Sequence, residues 1–507
     1  MSAQWSTLPG PDLHIDLDRG DLRGSLQTVL RDAVRSGRLP AGIRLPSTRT
    51  LAADLGVARG TVTQAYEQLV AEGYLTARQG SGTRAAALAS PGPPGERAGG
   101  GARGRHAGVS RPASAASAAS AASLTRSGPP AQWDFTPGAP DVSSFPRGAW
   151  LSATRRVLAS CPSEVFGYGD PRGTPALRRS LAGYLGRARG VLASPDQIVV
   201  CSGYAHALAL LTSVLSGMGI SRIAFENPSL LRHRELAAHA GLQVHGVPVD
   251  ALGIRVDKIS APVVVVTPAH QFPTGVTLDP GRRAQLADWA RDGGGLVIED
   301  DYDGEFRYDR QPVGAVQGLA PGQVIYAGTA SKTLVPGLRL AWLALPPDLT
   351  EAIVAQRPDG DRHPGVIDQL VLADMIDSGG YDRHIRQGRL RYRARRDRLT
   401  DALRQHAPAV TVRGVAAGLH ALVEFPVRGP READVVSLGR QRGIAVEGLA
   451  SHWIGRPSRY GGLVIGYARP AAHAFEPGLA ALAALLGDVT GSHAHRAGPA
   501  AAGQAAG

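Results

Sequence analysis

Lys332, in the stretch GTASKTLVPGLRLAWL, is one of only two lysines in a chain whose lysines and arginines together number 55; the other is Lys258. Arginine supplies charge almost anywhere, but it cannot form a Schiff base with an aldehyde, and lysine can. A lysine kept at this position therefore points to covalent amine chemistry. It follows QVIYAGTAS, an apolar run that reads as a strand. Upstream, LVIEDDYDGEF places Asp300 and Tyr302 just past another strand-like run. There a carboxylate can hold a pyridinium proton and a phenol can bind a ring hydroxyl. Arg339, a short way beyond the lysine, has the planar fork that grips a phosphate. In CSGYAHAL a strand, a small turn and a helix start bring the backbone N–H groups of Ser202, Gly203 and Tyr204 to where they can cradle the same phosphate. Together these are the partners that pyridoxal phosphate needs. Singly, each has an ordinary explanation: a solvated lysine, an acidic loop, a turn before a helix. Their order, and their shared place after successive strands, argues for one site.

The elements that must hold such a site are legible beyond residue 132. Strand-like runs (QIVVCSG, RIAFEN, PVVVVTP, GLVIEDD, QVIYAGTASK) alternate with helical stretches such as HALALLTSVLSGM and PGRRAQLADWARD. That alternation predicts an α/β fold with a mainly parallel sheet covered by helices, its ligand chemistry at the carboxyl ends of the strands.

The N-terminal part reads differently. LRGSLQTVLRDAVRSG places Leu22, Leu26, Val29 and Ala33 on one helical face. LPSTRTLAADLG predicts a short helix capped by Ser47 and stopped by Gly56, and VARGTVTQAYEQLVAEG a longer one ending at Gly73. Two helices joined by a tight turn make a helix-turn-helix, and YLTARQGSGTRA, with Gly80 and Gly82, adds a hairpin wing. In that motif the second helix enters the major groove by its N-terminal residues. Arg59, Gly60 and Thr61 open it here, with Arg59 able to pair with a guanine edge, while Arg44, Ser47 and Arg49 can position the phosphate backbone.

The composition agrees with this division. With 43% hydrophobic and 19% charged residues, most of the chain can bury a core, and 507 residues are too many for a single one. Residues 85–131 are almost wholly Ala, Ser, Gly, Pro and Arg, too poor in apolar surface to offset their ordering entropy, and are expected to be a flexible linker. A formal charge of +12 allows a polyanionic partner without specifying one. Cys161 and Cys201 make no disulfide framework, no histidine pair beside them has metal-ligand spacing, and no metal is expected. There is no signal-like start or spanning apolar run, so a cytoplasmic protein without membrane attachment is expected. The arginine-rich run at 383–399 can be the solvated face of a long helix or a second contact to DNA.

Two resemblances follow from these motifs. AGIRLPSTRTLAADLGVARGTVTQAYEQLVAEGYLTARQGSGT resembles the GntR-type winged helix, covering residues 12–84, except that Ala58 stands where the family usually has a serine; a lost helix cap costs ~0.5–2 kcal/mol. Residues 132–487 resemble a fold-type-I, aspartate aminotransferase-like transferase through FGYGDPRGTPALRRSLAGYL, CSGYAHAL, FENPS, FPTG, IEDDYDGEF and SKTLVPGLRLAWL, with 488–507 expected to be a disordered tail. The fusion is similar to MocR-type transcriptional regulators. That resemblance implies Lys332 as the Schiff-base lysine, Asp300 as partner of the pyridine nitrogen and Tyr302 as partner of the ring oxygen. Arg339, Thr329, Ser202, Gly203 and Tyr204 fall at phosphate positions, and Tyr168 at the tyrosine that reaches the neighbouring subunit's phosphate. It also implies a head-to-tail homodimer, double-stranded operator DNA as partner, and an amine or pyridoxal phosphate itself as effector.

There are departures as well. Leu230 follows NPS where an aromatic residue usually stacks on the cofactor, and Phe272 replaces the asparagine of true aminotransferases, as in the regulators. Val464 stands roughly where aminotransferases place the arginine that clamps a substrate α-carboxylate, with Arg232, Arg459 and Arg469 the candidates to replace it. The expected function is a cofactor-dependent regulator without net turnover. An active aminotransferase with an appended DNA-binding domain is the alternative, and a cofactor-free dimerisation scaffold the third reading.

Overall fold

A computed structural model describes residues 21–35, 39, 42–78, 82–86, 131–308, 314–357, 364–455 and 461–496. The chain forms two compact units. In the N-terminal one, α1 (Leu22–Arg35) buries Leu26, Leu30, Ala33 and Val34. Leu30 therefore takes the core position expected of Val29, which is only partly buried. The buried stripe centres on Leu26, Leu30 and Ala33, and Val29 falls at its edge. Helix α2 (Thr48–Leu55) starts at Ser47, whose hydroxyl accepts from the Thr50 N–H at 3.1 Å. It ends at Gly56 in the left-handed conformation, with Val57 N–H bonded to Ala52 O, the pairing that turns a chain sharply out of a helix. Helix α3 (Arg59–Ala71) opens directly after Ala58, whose carbonyl accepts from the Thr61 N–H. A two-stranded sheet of β1 (Leu75–Arg78) and β2 (Gly82–Ala85) completes the unit, tied to the segment before α2 by Leu45 N–H bonding Thr83 O.

The larger unit is built on a sheet that, among the described residues, has eight strands. They are β3 (Ile198–Cys201), β4 (Arg222–Asn227), β5 (Gln243–Asp250), β6 (Gly253–Ile254), β7 (Val263–Val266), β8 (Leu296–Asp301), β9 (Val324–Thr329) and β10 (Ala341–Ala344). Their order is β3-β10-β9-β8-β7-β4-β5-β6. The run from β9 to β5 is parallel, and β10 and β6 are antiparallel to their neighbours. The central strands are buried on both faces, which explains their unbroken valine and isoleucine runs. Alternation sends Ile198, Val200, Tyr326 and Trp342 into one core and Val199, Cys201, Ile325 and Leu343 into the other.

Beyond the sheet, the arginine-rich run lies in one long helix, Gly380–His406. Its buried face holds Tyr392, Leu399 and Leu403, and Arg395 turns inward to Asp141 at 3.0 Å and to the carbonyls of Ala468 and Pro470. A smaller antiparallel sheet follows, made of β11 (Thr411–Arg413), β12 (Ala421–Glu424), β13 (Glu447–Gly448) and β14 (Gly462–Ile465) in the order β11-β12-β14-β13. The closing helix, Ala472–Arg496, overruns the expected start of the tail at residue 488. Leu485, Leu486 and Thr490 are still buried, so the helix keeps an apolar face to pack. None of the described helices is long and apolar enough to cross a membrane.

Under the carboxyl end of β8, Arg189 pairs with Asp301 at 2.6 Å, both side chains being at most 2% exposed, and Tyr326 adds a hydroxyl bond to the same carboxylate at 2.8 Å. Breaking a buried pair leaves the other charge without compensation, at about 3–5 kcal/mol. Asp301→Ala should lower the stability of the large unit by that order in urea unfolding, and Asp301→Ala with Arg189→Met should recover most of it.

Candidate functional site

Lys332 sits in the short helix Ala330–Thr333 that β9 runs into, and Thr329 caps that helix by accepting from Ser331 N–H at 3.1 Å. Lys332 borders a cavity of about 510 Å³ together with Tyr204, Asp300, Tyr302, Thr329 and Arg339. Six residues expected at the site from three separate stretches of sequence are thus brought to one place. Ser202 and Gly203 do not line it, although both lie against Arg339, which does. A Cβ on Gly203 would come within 2.8 Å of the Arg339 guanidinium, so the glycine is what lets that arginine lie against the turn. Arg339 itself holds φ 51° and donates to Ser202 O at 2.6 Å. The Ser202 N–H is already committed to His206 Nδ1 at 3.0 Å, so it does not face the cavity as expected. Tyr168 lies away from the cavity, 97% exposed.

The acidic run after β8 is not a surface loop. Glu299, Asp300, Asp301, Asp303 and Glu305 are all buried. Glu299 accepts from the N–H groups of Val316 and Gln317, both at 2.9 Å, and has Arg283 nearby; burial nevertheless raises its pKa to about 7. Asp303 pairs with His270 Nδ1 at 3.0 Å, and Tyr184 donates to Glu305 at 3.3 Å. Asp301 leaves its Oδ1 unpartnered while Arg189 and Tyr326 hold its Oδ2, and Asp300 has no arginine against it. The Asp300 Oδ1 has no partner among the described residues, His233 Nδ1 is 3.8 Å from Oδ2, and the Tyr204 hydroxyl lies beside it without full hydrogen-bond geometry. Burial raises Asp300 to about pKa 8, although Tyr204 and Lys332 pull the other way. Burial also lowers Lys332, whose ammonium donates to Gly138 O, with Asp300 and Asp303 partly restoring it.

Sequence reasoning missed the second ring of residues. His233 reaches Asp300 from the helix Leu231–His239, and burial drives its pKa down to about 3, so it is neutral. The Tyr302 hydroxyl donates to His270 O at 2.8 Å. His270, Asp303 and His420 have ligand atoms within 4.8 Å of one another, a grouping that no sequence spacing announces. The His270–Asp303 hydrogen bond already uses one donor and one acceptor of that group. His420 packs on His270 and Phe272 at centroid distances of 4.7 and 5.0 Å. Of the arginines considered for carboxylate binding, Arg232 borders the cavity but is exposed, Arg469 is paired with Asp134 at 2.9 Å, and Arg459 lies outside the described residues.

In the N-terminal unit Arg44, Ser47, Arg49, Arg59 and Gly60 are exposed and Thr61 is partly so. Arg59 is the first residue of α3 and touches Thr48 Oγ1 at 3.5 Å, and the Arg44 guanidinium packs over Gly82. Gly80 lies outside the described residues.

A helix-turn-helix unit joined to a transferase-like unit with a lysine at a strand's carboxyl end defines a regulator of the DNA-binding class. Comparison with known proteins agrees. Residues 134–431 match the aminotransferase class I and II family, and residues 23–84 the bacterial regulatory proteins of the gntR family. The chain is 32% identical to an uncharacterized HTH-type transcriptional regulator, YhdI of Bacillus subtilis, over 87% of this chain and 91% of that one. It is 31% identical to the probable rhizopine catabolism regulatory protein MocR of Rhizobium meliloti, over 87% of this chain and 89% of that one. Among solved structures, an archaeal alanine:glyoxylate aminotransferase superposes with a TM-score of 0.65 at 25% identity, over 73% of this chain and 94% of that one. The chain belongs to the MocR-type family of transcriptional regulators, a GntR-type winged helix joined to an aminotransferase-like domain of fold type I.

The buried Asp300 makes stability depend on pH in the cofactor-free protein. Its folded pKa, about 8, lies above its ordinary 3.8, so the folded chain binds a proton that the unfolded chain releases. The stability it contributes is fully present below 3.8 and is lost as pH rises through about 8. Asp300→Asn removes this titration, and its urea midpoint should vary less across that window than the wild type's. An equal pH dependence would contradict the burial described.

Proposed function

We propose that this regulator binds pyridoxal phosphate on Lys332 and uses it to sense an amine. The observation that carries the reading is the unpartnered Oδ1 of Asp300, a buried carboxylate facing the cavity that also holds Lys332 and Arg339. A protonated pyridine nitrogen is the kind of cation that would complete it. Arg339, with the Gly203–Tyr204 turn beside it, offers a phosphate site, and Thr329 and Ser331 border the same cavity. When bound, the cofactor supplies an aldehyde that can be held by a lysine and taken over by a primary amine. Burial lowers the Lys332 pKa, which raises the fraction of neutral amine able to bond covalently.

On this reading residues 12–84 bind operator DNA, residues 132–487 hold the cofactor, and 85–131 connect them. The homodimer is head-to-tail, and Tyr168, so exposed in the single chain, serves the partner's phosphate. The effector acts by binding one arrangement of the dimer more tightly than another.

Adding pyridoxal phosphate to the purified protein should produce a visible absorption band that Lys332→Ala lacks; no band in the wild type would overturn the cofactor assignment. For DNA, Arg59→Ala should weaken binding to an operator selected from random sequence by about 1–3 kcal/mol and relax preference at one base pair. Arg49→Ala should weaken all sequences alike and reduce the salt dependence, as measured by fluorescence anisotropy.

A further inference from the structure

The wall of the cavity formed by the small C-terminal sheet has its own chemistry. Leu422, Val464 and Glu447 stand directly opposite one another across β12, β14 and β13, so their side chains share one face of that sheet. Leu422 and Val464 are buried with Leu449 against Phe272 and Trp453, leaving an apolar floor at the position where the carboxylate-clamping arginine was sought. Glu447, beside it, borders the cavity with its side chain 37% exposed, its carboxylate 3.2 Å from His452 Nε2.

His420 borders the same cavity and is only 4% exposed. Its Nε2 is buried and has no hydrogen-bond partner among the described residues. Burial and the neighbouring His270 hold the ring neutral, well below its ordinary pKa, and a neutral imidazole can offer a ligand a lone pair.

This wall presents acceptors, a carboxylate and an imidazole lone pair, where a guanidinium would present donors only. An anionic ligand end has nothing to gain there, and a cationic one finds charge and hydrogen bonds. Arg232 is the cation left to attract a carboxylate from this rim, and it is exposed, where water competes.

Resting on the reading that Lys332 carries the cofactor, we propose that the effector is a diamine: one amino group for the cofactor, and a second, kept as an ammonium, held by Glu447 and His420 Nε2. The sensed molecule is thereby of the class of α,ω-diamines, without a carboxylate.

The test is a titration of the full-length, cofactor-loaded protein, followed by the visible band and by melting temperature, with 1,4-diaminobutane, butylamine and 4-aminobutanoate. The diamine should half-saturate at a concentration about tenfold below butylamine, the gain from one charge-assisted contact, with 4-aminobutanoate weakest. Glu447→Gln should bring the diamine to the butylamine value, and Glu447→Arg should reverse the order in favour of 4-aminobutanoate. A wild type that prefers 4-aminobutanoate, or responds to diamine and monoamine alike, overturns the diamine assignment while leaving the cofactor reading intact. Absence of any visible band on adding pyridoxal phosphate overturns both. If Glu447→Gln and Glu447→Arg both keep the diamine preference, Glu447 is not its source and the proposal fails.

Discussion

The burial of the acidic run that ends β8 is the constraint around which the large unit is arranged. Five carboxylates within seven residues are removed from water, and each one so treated demands a partner. Arg189 comes from the end of a helix, Arg283 from another, His270 from the loop after β7 and Tyr326 from the neighbouring strand. Much of the packing of helices against the carboxyl edge of the sheet is thereby tied to charge compensation. Asp300 and Asp301 each leave one oxygen unmatched by protein, but Asp301 has Arg189 and Tyr326 on its other oxygen, whereas Asp300 has no arginine against it. On the proposed reading, this least compensated carboxylate is the one that a cationic ligand group completes.

The same low-dielectric environment acts on both reactive groups in opposite directions. It raises the carboxylic acid and lowers the ammonium, so burial disfavours the charged form of both Asp300 and Lys332. Neutral His233 and His420 complete the lining without adding positive charge that would oppose a cationic ligand.

Much of this was legible in the sequence because fold-type-I site residues lie close to strand ends and carry local signatures. Lys332, Asp300, Tyr302 and Arg339 could be picked out from the runs that precede them, and the helix-turn-helix from Ser47, Gly56 and Gly73. What was not legible depends on distance in the chain. His270, Asp303 and His420 come from three separate segments, and only the folded sheet brings them together. Glu447 gains meaning only from its register opposite Val464. Local detail also escaped: the Ser202 N–H goes to a histidine one turn along, and the buried stripe of the first helix takes in Leu30 and leaves Val29 at its edge. The closing helix continues past 487 because small alanine-rich sequence, so similar to linker composition, still contributes an apolar face when a core is there to receive it.

Retaining Lys332 while placing Val464 in an apolar floor separates two requirements that an aminotransferase must meet together. Covalent capture of an amine needs only a poised lysine and a cofactor. Turnover needs, in addition, the carbon beside the nitrogen held in one orientation, and a second rigid grip close to that carbon is what fixes it. The arginine that would clamp an α-carboxylate gives such a grip one bond from the reacting carbon. Glu447 and His420, acting on a distant ammonium at the end of a flexible chain, recognise the molecule but leave rotation about its proximal bonds free. On the proposed reading, such a pocket selects its ligand without aligning a bond for cleavage, which would separate a sensor from a catalyst built on one fold.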